Sequence, residues 1–271
     1  MKRVRKTAGL LCLAAAIILT TFWAAEYLPI LEEYREGRRL YDEIEDEAVS
    51  DPEDETDSAF DDWKENLDIE NEEKEKVTLP IDVDGLALFR RNSDYIGWIY
   101  IPDTVISYPV VACEDNEDYL HQSFDKEYLY AGTIFMDCRC YDGITNKHSI
   151  LYGHNMRDGS MFAGIKDYAD QEFLEGHPFF WFITPEYKLL YQVFSVTRSS
   201  PYDETVYSVT YDGLEDFGSQ MRELAGMSLV DTGIVPTDAD FVMTLSTCTS
   251  TSADRLAVHG VLLGALQEEN Q

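Results

Sequence analysis

Residues 241–263 read Phe241-Val-Met-Thr-Leu-Ser-Thr-Cys248, then Thr249-Ser-Thr-Ser-Ala-Asp254, then Arg255-Leu-Ala-Val-His-Gly-Val-Leu-Leu263. Both ends are apolar and rich in β-branched residues, and the middle consists of loop formers. The stretch therefore predicts two strands joined by a short loop. That pairing brings Cys248 and Arg255 to one end of one sheet. A cysteine at a strand end beside a cation has the exposure and the lowered pKa that a reactive thiolate needs. A buried structural cysteine is the competing reading. Arg255 cannot act as a base, because a guanidinium keeps its proton. It could stabilise a carbonyl oxygen as it becomes negative, or simply pair with Asp254 or another acid on the surface.

Working outward, β-rich runs occupy 96–101, 105–111, 132–136, 149–153 and 188–197, separated by Gly, Pro, Asn and Asp. Helical patterns cover 82–91, 160–168 and 214–227, with Ser160 a candidate N-cap after the Asp158-Gly159 turn. Strands without regular helical crossovers predict an α+β domain over 77–271, built on a largely antiparallel, closed or nearly closed sheet with inserted helices.

A thiolate nucleophile needs a proton partner. His154 ends an apolar strand, Ser149-Ile-Leu-Tyr-Gly153, and opens a turn, which places it at a cleft edge. His259 lies inside the last strand and reads as a hydrogen-bonded structural residue. His148 reads as a surface turn, and His121 and His177 lie in polar or helix-end settings. His154 is thus the acid/base candidate by elimination. Cys138-Arg-Cys140 lacks a second ligand pair at zinc spacing and reads as plain hydrophobes, with a redox-sensitive pair as the alternative. No phosphate-binding glycine loop or serine nucleophile elbow is present. No metal or cofactor is called for.

The chain has 271 residues, 45% of them hydrophobic, enough for a substantial core. Its five cysteines (Cys12, Cys113, Cys138, Cys140 and Cys248) are too few and too uneven for a disulfide scaffold. The net charge of −31 repels phosphate backbones and argues against nucleic-acid binding. That charge is uneven. Residues 42–75 carry eighteen acids and two lysines.

Lys2, Arg3, Arg5 and Lys6 precede an uncharged run over 7–25, which includes Cys12. As a helix, residues 8–25 would reach about 27 Å, close to the hydrocarbon thickness of a bilayer. Phe22 and Trp23 spoil a signal-peptidase site, so the run reads as an uncleaved anchor. The basic residues would keep the N-terminus cytoplasmic and place the remainder outside the cell membrane. Residues 26–76 read as an acidic helical stalk: helix over 26–47, a break at 51–57, and a short amphipathic helix carrying Phe60, Trp63 and Leu67. Its charges read as solvated, holding the domain away from an anionic envelope.

Three strings together resemble the class B sortases, the cell-wall transpeptidases of Gram-positive bacteria. They are Thr244-Leu-Ser-Thr-Cys248, Arg255 followed by Val258-His-Gly260, and Leu151-Tyr-Gly-His-Asn-Met156. Supporting stretches are Ile96-Gly-Trp-Ile99, Tyr108-Pro-Val-Val111, Asp115-Asn-Glu-Asp-Tyr-Leu120, Asp158-Gly-Ser-Met-Phe162, Asp231-Thr-Gly233 and the insert at 213–228. The resemblance covers nearly all of 77–271. It implies a closed, mostly antiparallel eight-stranded barrel with inserted helices, preceded by a transmembrane helix. It also implies Cys248 as nucleophile, His154 as acid/base and Arg255 as oxyanion and substrate support. The partners implied are secreted proteins with a C-terminal sorting signal, cleaved after Thr, and a peptidoglycan amine. Asn116, Leu120, Ser246, Thr247, Tyr202 and Tyr207 match positions near the substrate groove. One departure is the loop after Cys248, where Thr249 and Ser250 stand in place of an aromatic and an acid. A thiol hydrolase using the same residues with water as acceptor is the alternative activity, and a tethered binding domain is a third reading.

Overall fold

Eight strands close into a barrel because each supplies a run of residues that is apolar on the inner face. The computed structural model describes residues 2–52, 58–78, 80–140, 145–248 and 254–267, with the side chains of 2–12, 14, 15, 58 and 248 excepted. Helix α1 is Lys2–Ala48, followed by β1 (Val49–Ser50), α2 (Ser58–Glu65), α3 (Asn71–Lys74), β2 (Asp82–Val83) and α4 (Gly85–Arg91). The barrel strands are β3 (Tyr95–Tyr100), β4 (Ser107–Val111), β5 (Ile134–Met136), β6 (His148–His154), β7 (Phe179–Ile183), β8 (Tyr187–Ser199), β9 (Val242–Cys248) and β10 (Arg255–Gln267). Three helices lie between β6 and β9: α5 (Gln171–Gly176), α6 (Glu204–Tyr207) and α7 (Leu214–Gly226).

The strand order is β10-β8-β7-β3-β4-β5-β6-β9, closed by β9 against β10. The barrel is mixed rather than mostly antiparallel, because β4 pairs with β5, and β6 with β9, in parallel. Parallel neighbours need a long crossover. Here the β6-to-β9 connection carries β7, β8 and the inserted helices. The consequence is functional: a parallel pair ends on the same edge, so the last residues of β6 and β9 meet.

Strand β7 escaped the sequence reading. Its run, Phe-Phe-Trp-Phe-Ile, is buried on both faces and shows no alternation. Strands β8 and β10 run longer than expected, and their pairing shifts register between His259 and Gly260. A Cβ at Gly260 would lie 2.4 Å from the Phe180 ring, so only glycine lets that ring pass. The predicted N-cap at Ser160 is not formed. Ser160 instead donates its hydroxyl to Asp158 Oδ1 at 2.7 Å in the turn before a 3-10 helix, Phe162–Ala169.

The acidic segment is not a solvated spacer. Tyr41, Ile44, Ala48, Phe60, Leu67 and Val77 are buried in the same core as the barrel. Trp63 of α2 packs on Trp181 of β7 at 5.7 Å and donates its indole N–H to the Ala265 carbonyl at 3.1 Å. Arg91 of α4 ties α1 down through Glu47 at 3.0 Å while also holding Asp125 at 2.6 Å. Helical periodicity explains the error: the acids dominate the composition, but the apolar residues sit on one face and find the barrel.

The expected membrane span also needs correction. Among the described residues no helix is long and apolar enough to cross a membrane. The described apolar side chains of α1 start at Leu13, and Glu26 ends the uncharged run. That stretch rises only about 20 Å at 1.5 Å per residue, against about 30 Å of hydrocarbon. Cys12 and the earlier part of the run lie outside the described side chains.

Candidate active site

Register places the candidate triad. In the parallel β6/β9 ladder, Tyr152 faces Ser246, Gly153 faces Thr247, and His154 faces Cys248. In the antiparallel β9/β10 ladder, Ser246 pairs with Ala257. Continuing that ladder two residues brings Arg255 level with Cys248, and Thr247 Oγ1 bonds both backbone groups of Leu256 on the rung between. Positions 154, 248 and 255 therefore occupy one rung across three adjacent strands. Gly153 is required for this course: a Cβ there would lie 2.4 Å from Ile134 Cδ1 and 2.7 Å from Phe162. The side chain of Cys248, the loop 249–253 and its departures Thr249 and Ser250 lie outside the described residues.

His154 is half-buried and oriented by a carbonyl. Its Nε2–H donates to the Leu120 oxygen at 2.7 Å. A carbonyl can only accept, so Nε2 carries the proton and Nδ1 is the basic nitrogen of the neutral ring. The ring stacks on His121 (5.3 Å, 20°) and on Tyr130 (5.9 Å, 13°). Leu120 thus acts on the site through its backbone, a role no side-chain pattern announces. Asn116 is half-buried, and its Oδ1 accepts from the Cys138 amide at 2.8 Å, bracing the same loop.

Arg255 sits with its Cζ 5.8 Å from the centre of the Tyr152 ring, within cation–π range. The Tyr152 hydroxyl donates to Asp137 Oδ2 at 2.8 Å. Burial would raise the Asp137 pKa, but the Arg139 guanidinium (2.9 and 2.6 Å), the Arg139 amide and Tyr152 together hold it below the usual carboxylate range. Arg139 also donates to the Tyr207 carbonyl at 3.0 Å, and Tyr207 Oη lies 3.0 Å from Ser246 Oγ. Strand alternation could have found Tyr152, two residues from His154 on the same face. Ser246 and Thr247 are buried in the barrel wall and Tyr207 is buried at the end of α6, whereas Tyr202 is 89% exposed on the loop after β8.

The other cysteines differ from a reactive thiol. Burial pushes Cys113 up to about 12 and Cys140 up to about 11, and burial with the nearby Asp137 also raises Cys138. Among the described cysteines, each of these three is held protonated.

His148 is fully buried instead of lying in a surface turn. Its Nδ1–H donates to the Ser208 carbonyl at 2.8 Å, so Nε2 accepts from Thr244 Oγ1–H at 2.7 Å. Thr244 Oγ1 then accepts from His259 Nδ1–H at 2.8 Å, and His259 Nε2 accepts from Thr197 at 2.9 Å. This proton arrangement satisfies every member with both rings neutral. Burial lowers His148 to about 4, and burial with the neighbouring His148 lowers His259 to about 3. The unfolded rings titrate near 6.5. Their contribution is therefore fully present above pH 6.5 and is lost as pH falls toward the folded values. Each ring changes stability by about 1.4 kcal/mol per pH unit inside that window. Urea midpoints are expected to fall steadily from pH 6.5 to 5, with a shallower slope in His259→Gln. A flat midpoint over that interval would contradict the neutral pair.

The sequence matches the sortase domain family over residues 99–263. It is 35% identical over 183 residues to a sortase B of Listeria monocytogenes, covering 65% of this chain and 72% of that one. It is 34% identical over 162 residues to a sortase B of Staphylococcus aureus, covering 60% of this chain and 66% of that one. Among solved structures, a Bacillus anthracis sortase B superimposes with a TM-score of 0.68 at 29% identity, over 86% of this chain and 99% of that one. A Staphylococcus aureus sortase B–substrate complex gives 0.68 at 26% identity, over 85% and 98%. The chain belongs to the sortase family and, within it, to the class B cysteine transpeptidases.

Proposed function

We propose that this chain cleaves a C-terminal sorting signal after threonine and joins the new carboxyl end to a peptidoglycan amine. The reading is carried by one observation, the common rung of His154, Cys248 and Arg255. The Cys248 sulfur attacks the threonyl carbonyl as its thiol proton passes to His154, and Arg255 stabilises the oxyanion. His154 delivers a proton to the leaving amine as the peptide C–N bond breaks, leaving a thioacyl enzyme. The acceptor amine then attacks the thioester. His154 takes the proton from that amine, the sulfur leaves, and an amide forms.

The proposal extends to location. The barrel works on the outer side of the cell membrane, with the apolar surface of α1 against it. Supporting this are the four leading basic residues and the exposure of Ile17, Ile18, Leu19, Phe22 and Trp23 along α1. Asn116, Leu120 and Tyr202 are proposed to contact the sorting peptide, with Ser246, Thr247 and Tyr207 supporting the wall behind it.

The test uses the whole chain in detergent, because the α1 and α2 contacts are part of the core. A library of Pro-x-Thr peptides is incubated with and without diaminopimelate or oligoglycine. A Thr-linked amide product that rises with amine concentration at the expense of free acid supports the transpeptidase. Free acid alone, unaffected by either amine, would instead establish a thiol hydrolase.

A further inference from the structure

Helix α1 touches both backbone segments that hold His154. The first is the loop 118–133, whose Leu120 carbonyl receives the His154 proton. The second is the turn 155–160 that follows His154 in sequence. Tyr41 donates its hydroxyl to the Gly132 carbonyl and lies 2.9 Å from Thr133 Oγ1. Gly132 backs directly onto the Leu120 carbonyl: at φ +61°, a Cβ there would lie 2.4 Å from that oxygen. Thr133 completes the brace, its amide donating to the Tyr119 carbonyl at 3.0 Å and its hydroxyl to the Gln122 carbonyl at 2.8 Å. One turn earlier on the helix, Arg38 Nε pairs with Asp158 Oδ2 at 2.7 Å. A turn before that, Tyr34 stacks on Tyr130 at 6.3 Å, and Tyr130 stacks on His154. Gly37 lies between these contacts and faces Leu129 and Ala131.

These contacts recur at three- to four-residue spacing, so one face of α1 grips the frame of a single imidazole. We infer that α1, through Tyr41, is a positioning element for His154, holding the Leu120 carbonyl where it fixes the ring with Nε2 protonated. The inference rests on the reading of His154 as the acid/base. Tyr41 touches neither His154 nor a substrate. It acts through Gly132 and Leu120. The barrel is thus catalytically complete only with α1 docked, and the segment that joins it to the N-terminal apolar run is part of the active-site frame.

The discriminating variant is Tyr41→Phe in the full chain. It keeps the buried ring and its edge contact with Tyr108 (5.6 Å, 87°) but removes the hydroxyl. Two readouts are taken: nitrogen NMR of 15N-histidine-labelled protein, reporting the His154 tautomer, and single-turnover acyl transfer from the Pro-x-Thr peptide to diaminopimelate. The expected result is a shift of His154 from the Nε2–H form toward a tautomer mixture. With it kcat falls about tenfold, the scale of a sub-ångström misplacement of a reacting group, while the donor KM is unchanged. An unchanged tautomer with unchanged kcat would overturn the inference, even if the melting temperature dropped, since a merely structural role predicts that pattern. A tautomer shift in a chain whose wild type transfers no acyl group would uphold the positioning and overturn the acid/base reading instead.

Discussion

His154→Ala is expected to lower acyl transfer by about 10²- to 10⁴-fold while leaving the barrel folded, the range set by loss of a positioned general acid. The loss follows from the leaving group: without a proton donor, an amine must depart as an anion. The strand does not need the ring. The β6/β9 ladder is carried by backbone groups, and the core beneath is filled by Ile150, Leu151 and Tyr152. What alanine removes structurally is the stacking on His121 and Tyr130 and the hydrogen bond to the Leu120 carbonyl, each worth about 1 kcal/mol. Single-turnover release of the leaving amine from a peptide, with the melting temperature measured alongside, separates chemistry from folding. Activity within tenfold of wild type would move the role elsewhere. His121 would then be the next candidate, since it is exposed and stacked 5.3 Å away. His259 would not, because it is fully buried and both its nitrogens are engaged.

Arg255→Lys is expected to cost about 10²- to 10³-fold in kcat, the magnitude of a lost oxyanion donor. The substitution keeps the charge, so it tests geometry. A guanidinium is a planar fork that stacks on aromatic rings, here with its carbon 5.8 Å from the Tyr152 ring centre, and still presents donors at its rim. An ammonium is a hydrated point charge that does neither equally well. The Tyr152 ring is held in place by Asp137, itself clamped by Arg139, so the surface under Arg255 does not adapt to a shorter cation. Steady-state kinetics with the same peptide decides this. Near-normal kcat in Arg255→Lys would reduce the residue to an electrostatic role.

Much of this arrangement was legible in residues. The strands flanking 249–254, with Cys248 and Arg255 at one sheet end, followed from alternation and turn chemistry, and His154 followed by elimination from its place at a strand end. What was not legible had physical causes. Strand β7 is buried on both faces and so lacks a period. The β6/β9 parallel pairing depends on a crossover whose path no local pattern encodes, although that pairing is what aligns His154 with Cys248. The acidic segment misled because net charge averages over faces. Tyr41, Ile44, Phe60 and Leu67 lie on the buried face, and eighteen acids surround them. The Leu120 carbonyl was invisible in principle, since a backbone oxygen has no residue signature.

The central claim is that Cys248 carries the acyl group between donor and acceptor. The most direct measurement is the intact mass of the full chain during reaction with a Pro-x-Thr sorting peptide in the absence of added amine. The wild-type chain is predicted to gain the mass of the peptide fragment ending in Thr, to lose it when diaminopimelate is added, and to show the adduct at Cys248 after digestion. Cys248→Ala should gain nothing. An adduct persisting in Cys248→Ala, or mapping to Cys113, Cys138 or Cys140, would contradict the account.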